Sequence, residues 1–319
     1  MKKIISLAVV LALVLACTAF ADGLPGGTKL IFTTGGAQGT YYGFGGVLSG
    51  KVGEKTSTTV TAITSGGSKA NIEAMQDGDA QLGFTQSDVG AYAYRGTRLF
   101  DEKVTTFSTV ANLYMEQVQI VTLDPSIKTV ADLKDKNVSV GAAGSGTYFN
   151  AVDALKAYGL DIDKDIKATY QSFGDSVEAL QDGKIDAAFI VAGAPTTAVT
   201  SLSATKKVYL VGFDDEHIMK LITESPYYSK NVIEKSVYGT DDDVTTVAVG
   251  AVVIANDDVS ETDVYNFLYG IFENLDEITA AHAKGAELNL GFAASYTAVP
   301  YHKGAVKYFG EKGIKVSGK

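Results

Sequence analysis

The sequence predicts an α/β protein of two similar domains that are joined by two crossing strands. The stretch Gly39-Thr40-Tyr41-Tyr42 returns later as Gly146-Thr147-Tyr148-Phe149. A second pair, Gln76-Asp77-Gly78 and Gln181-Asp182-Gly183, stands at nearly the same separation along the chain. Two pairs in the same order and at nearly one offset indicate a repeated unit of strand, turn, helix, strand, helix and strand.

The elements of each unit follow from residue type and periodicity. Runs of apolar and β-branched residues mark the strands, and glycine turns, polar caps and Asp-Gly stops bound the helices. In the first unit we predict strands at residues 29–33, 58–63 and 80–84, with helices at 41–52, from a cap at Ser68 to a stop at Gly78, and at 89–94. In the second unit we predict strands at 137–140, 166–170 and 186–191, with helices from the glycine turn to about 158 and from a cap near Asp175 to Gly183.

Two long extended runs, at residues 116–123 and 244–255, bracket the second unit. The capping box Ser260-Glu261-Thr262-Asp263 then opens an amphipathic helix that we expect to end at Gly285. The chain is therefore expected to cross between the domains twice, with a hinge near residues 114–119 and 245–249 and a cleft beside it. We predict a first lobe at 22–117 and 246–319 and a second lobe at 118–245.

The N-terminus has the pattern of an export signal. Lys2 and Lys3 precede the apolar run at residues 4–15, and Ala19-Phe20-Ala21 offers small residues for a cut after Ala21. Residues 1–21 are thus expected to be a signal peptide. The alternative is lipidation at Cys17, the only cysteine, which follows Val14-Leu15-Ala16 in a weak lipobox. The expected location is the periplasm, with or without a lipid anchor.

The charge balance argues against nucleic acid as a partner. The chain has 27 lysines and arginines against 37 aspartates and glutamates, for a net charge of −10. The two arginines are Arg95 and Arg98, so the second lobe has none with which to hold a carboxylate. We expect both arginines on the surface.

The two glycine turns are candidate anion-binding sites. Each follows a strand and opens a helix whose first amides are unpaired, and the helix dipole favours negative charge there. The Lys-Thr or Lys-Ser of a phosphate loop and the third glycine of a dinucleotide fingerprint are missing, so we expect an organic carboxylate instead. The alternative is that each turn only caps its helix.

Loops at other strand ends are expected to face the same cleft, because ligands in open α/β sheets lie outside the carboxyl ends of the strands. Asp88 has two open roles: it either caps its helix or accepts from a ligand ammonium. The ligand-binding residues that we predict are Gly39, Thr40, Tyr41, Tyr42, Ser65, Gly66, Gly67, Ser68, Gln86, Ser87, Asp88, Ser145, Gly146, Thr147, Gly193, Ala194 and Pro195.

No catalytic constellation is recognisable. The three histidines, His217, His282 and His302, are scattered, and no Gly-x-Ser-x-Gly motif occurs. We predict no catalytic residues, no metal and no cofactor. A secreted hydrolase is the enzyme alternative that this absence disfavours.

These motifs, in order, resemble the TAXI receptors, the extracytoplasmic solute-binding subunits of tripartite ATP-independent periplasmic (TRAP) transporters. The resemblance covers residues 28–311 and includes the C-terminal Pro300-Tyr301-His302-Lys303-Gly304-Ala305. It implies a type II periplasmic-binding-protein fold. It also implies capture of a glutamate-like or dicarboxylate molecule and delivery to a TRAP permease, often with fused small and large subunits, that runs on an ion gradient. Related receptors clamp the ligand with an arginine, which the second lobe here lacks. The alternative role is to pass a ligand to a sensor kinase or chemoreceptor.

Overall fold

The structure is a computed structural model that describes residues 28–98 and 100–319. The expected signal segment, with its cleavage alternatives at Ala21 and Cys17, lies outside the described residues. Among those residues, no helix has both the length and the apolar character needed to cross a membrane.

The described chain alternates strands and helices. The strands are β1 (Lys29–Thr33), β2 (Thr59–Ile63), β3 (Leu82–Gln86), β4 (Phe107–Thr122), β5 (Asn137–Ser139), β6 (Lys167–Thr169), β7 (Ala187–Ala192), β8 (Tyr209–Leu210), β9 (Ser229–Ile233) and β10 (Val244–Asn256). The helices are α1 (Thr40–Lys55), α2 (Ser68–Gln76), α3 (Ser87–Arg95), α4 (Gly146–Ala157), α5 (Phe173–Gln181), α6 (Thr197–Ser203), α7 (Asp215–Glu224), α8 (Glu261–Phe272), α9 (Leu275–Ala281), α10 (Leu290–Ala293) and α11 (Lys303–Glu311). Short 3-10 helices lie at Val130–Leu133, Lys235–Val237 and Ala283–Glu287.

One mixed sheet runs through both lobes. Its order within the described residues is β2-β1-β3-β10-β4-β7-β5-β6, with β8 beside β4 and β9 beside β10. In lobe 1, β1 lies between β2 and β3 and is parallel to both. In lobe 2, β5 lies between β6 and β7 in the same way. The two lobes therefore repeat one plan, as the paired sequence motifs predicted.

Each lobe has its own apolar core. In lobe 1, β-strand residues pack against helices α1, α8 and α11, and the Phe32 ring meets Phe84 at 4.9 Å and Phe267 edge-on at 5.7 Å. In lobe 2, Val138, Leu155 and Phe189 belong to a separate buried cluster. Burial of these side chains is the main favourable term for each lobe, at about 1.5–3 kcal/mol for a large apolar side chain.

Two long strands connect the lobes. β4 and β10 are antiparallel partners over Ala248–Asn256, with Gly250 opposite Met115 and Val249 opposite Glu116. Beyond this region β4 pairs with β7 from Gln117 onward, and β10 pairs with β9 over Val244–Ala248. The fold thus has two lobes joined by two crossing strands, as predicted.

Several predicted boundaries are wrong, each for a local reason. The α2 helix is not capped by the Ser68 side chain; Gly67 is the N-cap, and the Ser68 hydroxyl accepts from the Gln86 amide instead. Ser172, not Asp175, caps α5. The helix expected to run to Gly285 ends at Phe272, because Asn274 has a non-helical backbone and starts α9.

Candidate functional site

A small cavity of about 70 Å³ lies between the lobes, where the carboxyl ends of β1, β2, β3, β5, β6 and β7 meet. Ligands of open α/β sheets bind at this edge. The residues that line the cavity are Gly35, Gly36, Gly39, Thr40, Tyr41, Ser65, Gly66, Gly67, Ser68, Gln86, Glu116, Ala142, Ser145, Gly146, Thr147, Ser172, Phe173, Val191 and Ala192.

The cavity brings together most of the residues that the sequence singled out. Both glycine turns, the Ser65–Ser68 loop and Gln86 are in its wall. The predicted residues that do not line it are Tyr42, Ser87, Asp88, Gly193, Ala194 and Pro195. The wall also contains Glu116, which was not predicted.

The second glycine turn presents the N-terminus of α4 to the cavity. The Ser145 hydroxyl caps the helix by accepting from the Tyr148 amide at 3.3 Å. The amides of Gly146 and Thr147, and the Thr147 hydroxyl, have no hydrogen-bond partner in the described part of the chain. Unpaired amides at a helix start bind anions, because they are donors and the helix dipole is positive there. This wall of the cavity can therefore hold a carboxylate.

The first glycine turn presents the N-terminus of α1 from the opposite lobe. Gly39 is the N-cap and no side chain caps the helix. The Thr40 hydroxyl donates to the Gly193 carbonyl of lobe 2 at 2.7 Å. The Tyr41 ring stacks on Phe84 at 4.5 Å, which fixes the direction of its buried hydroxyl. Thr40 thus links the lobes, and Tyr41 reaches the ligand space.

The first turn of α2, directly after the Ser65–Ser68 loop, binds the other lobe. The amides of Lys69 and Ala70, in the first turn of α2, both donate to the Gly144 carbonyl, at 3.0 and 3.2 Å. Gly67 has φ of +103°, and a Cβ there would lie 3.4 Å from the Ser145 Cα. A side chain at this position would be strained and crowded against lobe 2. Glycine is needed here for close approach of the lobes.

Glu116 is the charged side chain of the cavity wall. It is 2% exposed and lies on β4 where the strand crosses between the lobes. Gln86 Nε2 donates to Glu116 Oε2 at 3.4 Å, whereas Glu116 Oε1 has no partner among the described residues. Burial raises the pKa of Glu116 to about 8. A signal for it existed in the sequence, since Glu116 is the single charged residue in an otherwise uncharged strand.

The loop after β7 supports the cavity from outside. A Cβ on Gly193 would lie 2.6 Å from the Cε of Lys284 and 2.8 Å from the Tyr114 ring, so glycine is required by packing. The Ala194 amide donates to Gln117 Oε1 at 3.0 Å, and the Ala194–Pro195 peptide bond is cis. These contacts hold the loop against β4, the first crossing strand.

Ser87 and Tyr42 also point away from the cavity. The Ser87 hydroxyl accepts from the Gly250 amide at 3.0 Å, which ties α3 to β10. The Tyr42 side chain is 38% exposed on the outer surface of α1.

Asp88 lies in a second contact between the lobes. It is fully buried, and Asn150 Nδ2 of lobe 2 donates to its Oδ2 at 3.1 Å, while its Oδ1 has no partner within the described residues. Burial, and next the charge of Asp153, raise the pKa of Asp88 to about 7. The nearby Tyr228 hydroxyl donates to Asp153 at 3.1 Å, and Arg98 forms an ion pair with Asp153. We call Asp88, Arg98, Asn150 and Asp153 the interlobe polar cluster.

The lobes are closed on each other. Gln38 of lobe 1 accepts at its carbonyl from the Ala198 amide of lobe 2 at 3.1 Å. Arg95 and Arg98 are exposed, as expected, yet Arg98 reaches across to lobe 2. These contacts join the two lobes in the closed form.

The cavity wall consists of hydrogen-bonding groups and apolar side chains. In the described ranges, no group of three or more His, Cys, Asp or Glu side chains could hold a metal ion. The cavity wall contains unpaired amides, hydroxyls and one carboxyl. It contains no histidine that could act as a base toward its serines.

Comparisons with known proteins agree with this description. The malate-bound MatC protein of Rhodopseudomonas palustris is similar over 83% of this chain and 90% of its own, with 14% identity and a TM-score of 0.57. A periplasmic transporter structure is similar over 82% and 87%, with 13% identity and a TM-score of 0.53. An ancestral arginine-binding protein bound to arginine is similar over 80% and 97%, with 16% identity and a TM-score of 0.50. At these identities the likeness shows the fold. Residues 32–313 match the NMT1-like family, and the chain belongs to that family.

Proposed function

We propose that this member of the NMT1-like family is an exported receptor that captures a small organic acid or amino acid between its lobes and delivers it to a membrane transporter. The observation that carries the proposal is the closed cavity, which joins unpaired helix amides on lobe 2 to a buried carboxyl on a crossing strand. The likeness to binding proteins with malate or arginine supports a small solute with a carboxylate.

The sequence motifs support a more specific role. Their resemblance to TAXI receptors favours a TRAP permease with fused small and large subunits as the partner, and a glutamate-like or dicarboxylate molecule as the solute. From the N-terminal pattern we also propose a periplasmic protein that is released after Ala21 or anchored through Cys17. From the two long extended runs we propose lobe 1 at residues 22–117 and 246–319 and lobe 2 at 118–245.

Within the cavity, we assign the ligand's carboxylate to the Gly146 and Thr147 amides and the Thr147 hydroxyl. Gly39, Thr40 and Tyr41 close over it from lobe 1. The absence of arginine from residue 99 onward makes helix amides the available donors on this wall. Transfer to a sensor kinase or chemoreceptor remains the alternative fate of the ligand.

Mass spectrometry of small molecules released from gently purified protein is the direct test. We expect a carboxylate-bearing solute in stoichiometric amount. Small-angle scattering of the protein before and after removal of that solute should show a larger radius of gyration in the empty form, because the hinge opens. Release of no small molecule, together with an unchanged profile when candidate acids are added, would contradict a receptor function. Loss of uptake on deletion of a neighbouring permease gene would separate transport from signalling.

A further inference from the structure

We propose that the solute is an amino acid, and that Glu116, Gln86 and Tyr41 form the subsite that binds its ammonium group. This inference rests on the proposed receptor function and narrows its ligand class. It also replaces Asp88, which lies outside the cavity wall, as the acceptor for a ligand cation.

Three buried oxygens at the cavity lack partners. By hydrogen-bond geometry, Tyr41 Oη, Gln86 Oε1 and Glu116 Oε1 have no partner within the part of the chain that the structure describes, and all three residues line the cavity. The Tyr41 hydroxyl nevertheless lies close enough to the Glu116 carboxyl to lower its pKa. Gln86 and Glu116 are each 2% exposed. Buried polar atoms of folded proteins are almost always satisfied, so such a cluster indicates a missing partner. An ammonium has three donors and no acceptor, and it would satisfy all three oxygens.

The orientation of the Gln86 amide supports a donor-bearing ligand. Its Nε2 donates to Glu116 Oε2, which directs its Oε1 to the cavity. With Glu116 ionised, turning the amide over would place two acceptor oxygens against each other. The subsite therefore offers acceptors, and a second ligand carboxylate would find no donor in it other than the Tyr41 hydroxyl or a protonated Glu116.

The charged and titratable groups around Glu116 leave room for a ligand cation. Tyr41 reaches Glu116 from α1, and Tyr114 lies on the same strand as Glu116. Asp88 from α3 raises the pKa of Glu116, and Lys284 lowers it. The Lys284 ammonium is itself paired with Glu287 and lies 5.6 Å from the Tyr114 ring centroid. Lys284 does not line the cavity, so it leaves the free oxygen of Glu116 to the ligand.

The opposite wall completes the match to an amino acid. The unpaired amides at the start of α4 suit the carboxylate, and the acceptor cluster on lobe 1 and the crossing strand suits the ammonium. One small molecule would thus bridge the two lobes through groups of opposite charge.

The protonation of Glu116 provides an independent readout. With the lobes closed and no ligand bound, its pKa is about 8, so closure over a solute without a cation should leave a proton there on much of the protein at pH 7.5. An ammonium beside it favours the carboxylate, so an amino acid should take up fewer protons on binding than its amine-free analogues do. A ligand carboxylate that accepted from protonated Glu116 would have the opposite effect, and binding would take up protons.

The test compares matched ligands on one protein. Purified, unliganded protein is titrated calorimetrically at pH 7.5 with the common L-amino acids, with the corresponding 2-oxo acids and with the deaminated acids. Each titration is repeated in two buffers of different ionisation enthalpy. We expect at least one amino acid to bind about tenfold or more tightly than both of its amine-free analogues, and to take up fewer protons on binding than they do.

Glu116→Gln tests the residue itself. The substitution keeps the shape of the side chain and should weaken binding of the amino acid by about tenfold or more. An amine-free analogue should bind as well as before or better. The exposed Glu178→Gln is the matched control and should change neither. Binding of amine-free acids alone, proton uptake by the amino acid that equals or exceeds that of its analogues, or equal weakening of all ligands by Glu116→Gln would overturn the proposal. A carboxylate-bearing solute found by mass spectrometry would still leave the receptor function standing. If no amine-bearing compound binds, the proposal is likewise overturned.

Discussion

A methyl group on Gly146 would overlap the Gln86 side chain, although the two residues belong to different lobes. The same group would lie 2.8 Å from the Ser68 hydroxyl. Gly146 is the first residue of α4, in an ordinary helical position, so its backbone does not demand glycine. Glycine is required at this position because the opposite lobe packs against it when the cavity is closed.

We therefore expect Gly146→Ala to block closure without disturbing either lobe. Overpacking of a tight contact costs roughly 1–3 kcal/mol, so affinity for the solute should fall by up to about 100-fold. Calorimetric titration measures the loss, and circular dichroism checks the fold. Gly53→Ala on α1 is the control, because a Cβ there has no neighbour within 4 Å. Parental affinity in Gly146→Ala would mean that the bound state is more open than this one.

The Thr147 hydroxyl should contribute one hydrogen bond to the ligand carboxylate. Thr147→Val keeps the shape that packs against Gly141 and removes the donor. A hydrogen bond to a charged group is worth about 1.5–3 kcal/mol, so a loss of tenfold or more in affinity is expected. Thr147→Ser should restore most of the binding. If the valine variant binds as the parent does, this hydroxyl does not touch the solute.

Arg98→Gln should favour the open form. The change leaves Asp153, 9% exposed at its side chain, near the buried Asp88 without its cation. Because Arg98 is itself one-third exposed, we expect a modest effect of about 1 kcal/mol, seen as a roughly fivefold weaker solute affinity. Lys156→Gln, which breaks an exposed ion pair with Glu224 inside lobe 2, is the control and should leave affinity unchanged. An equal effect of both variants would argue against a role for Arg98 in closure.

Asp88→Asn should stabilise the protein at alkaline pH more than at acidic pH. The pKa of Asp88 rises from 3.8 to about 7 on folding, so the folded form holds more protons between these values and stability falls as pH rises through them. The asparagine variant lacks this loss and should gain on the order of 1–3 kcal/mol over the parent at pH 8, with a much smaller difference at pH 4.

Urea unfolding at the two pH values measures that difference. Glu116 adds a loss of the same sign up to about pH 8, and removal of the Asp88 charge lessens that loss, so both effects favour the variant at pH 8. The exposed Asp79→Asn should change stability little at either pH. A pH-independent difference between parent and Asp88→Asn would show that Asp88 is not the buried acid inferred here.

Local sequence features predicted the repeated strands and the helix starts that form the cavity. Glycine turns, caps and β-branched runs depend on interactions over a few residues. The sequence therefore predicted correctly that Gly39, Ser65 and Ser145 follow strand ends. The role of Ser68 was not predictable, because its hydroxyl accepts from the Gln86 amide. Gln86 is distant in sequence and is brought near Ser68 by the packing of the sheet. Asn274 interrupts an apolar helical pattern that continues on both sides, so periodicity alone missed the break.

The residues misjudged at the site depend on how the lobes meet. Asp88 and Gln86 are neighbours in sequence, yet the start of α3 turns one toward Asn150 and leaves the other in the cavity. Glu116 belongs to no motif, and its importance comes from the crossing of β4 between the lobes. No local pattern specifies which face of a crossing strand will border the ligand.

The interlobe polar cluster joins the lobes in the closed form, and its residues lie outside the cavity wall. In any protein where the binding-competent form is a fraction of the whole, apparent affinity scales with that fraction. Substitutions at Arg98 or Asn150 can therefore move the solute concentration at which the receptor fills, while the identity of the solute stays encoded at Glu116 and α4. The apparent affinity for the solute and the choice of solute can therefore change independently. Substitutions at the cluster could adapt the receptor to a lower or higher solute concentration without altering which solute it binds.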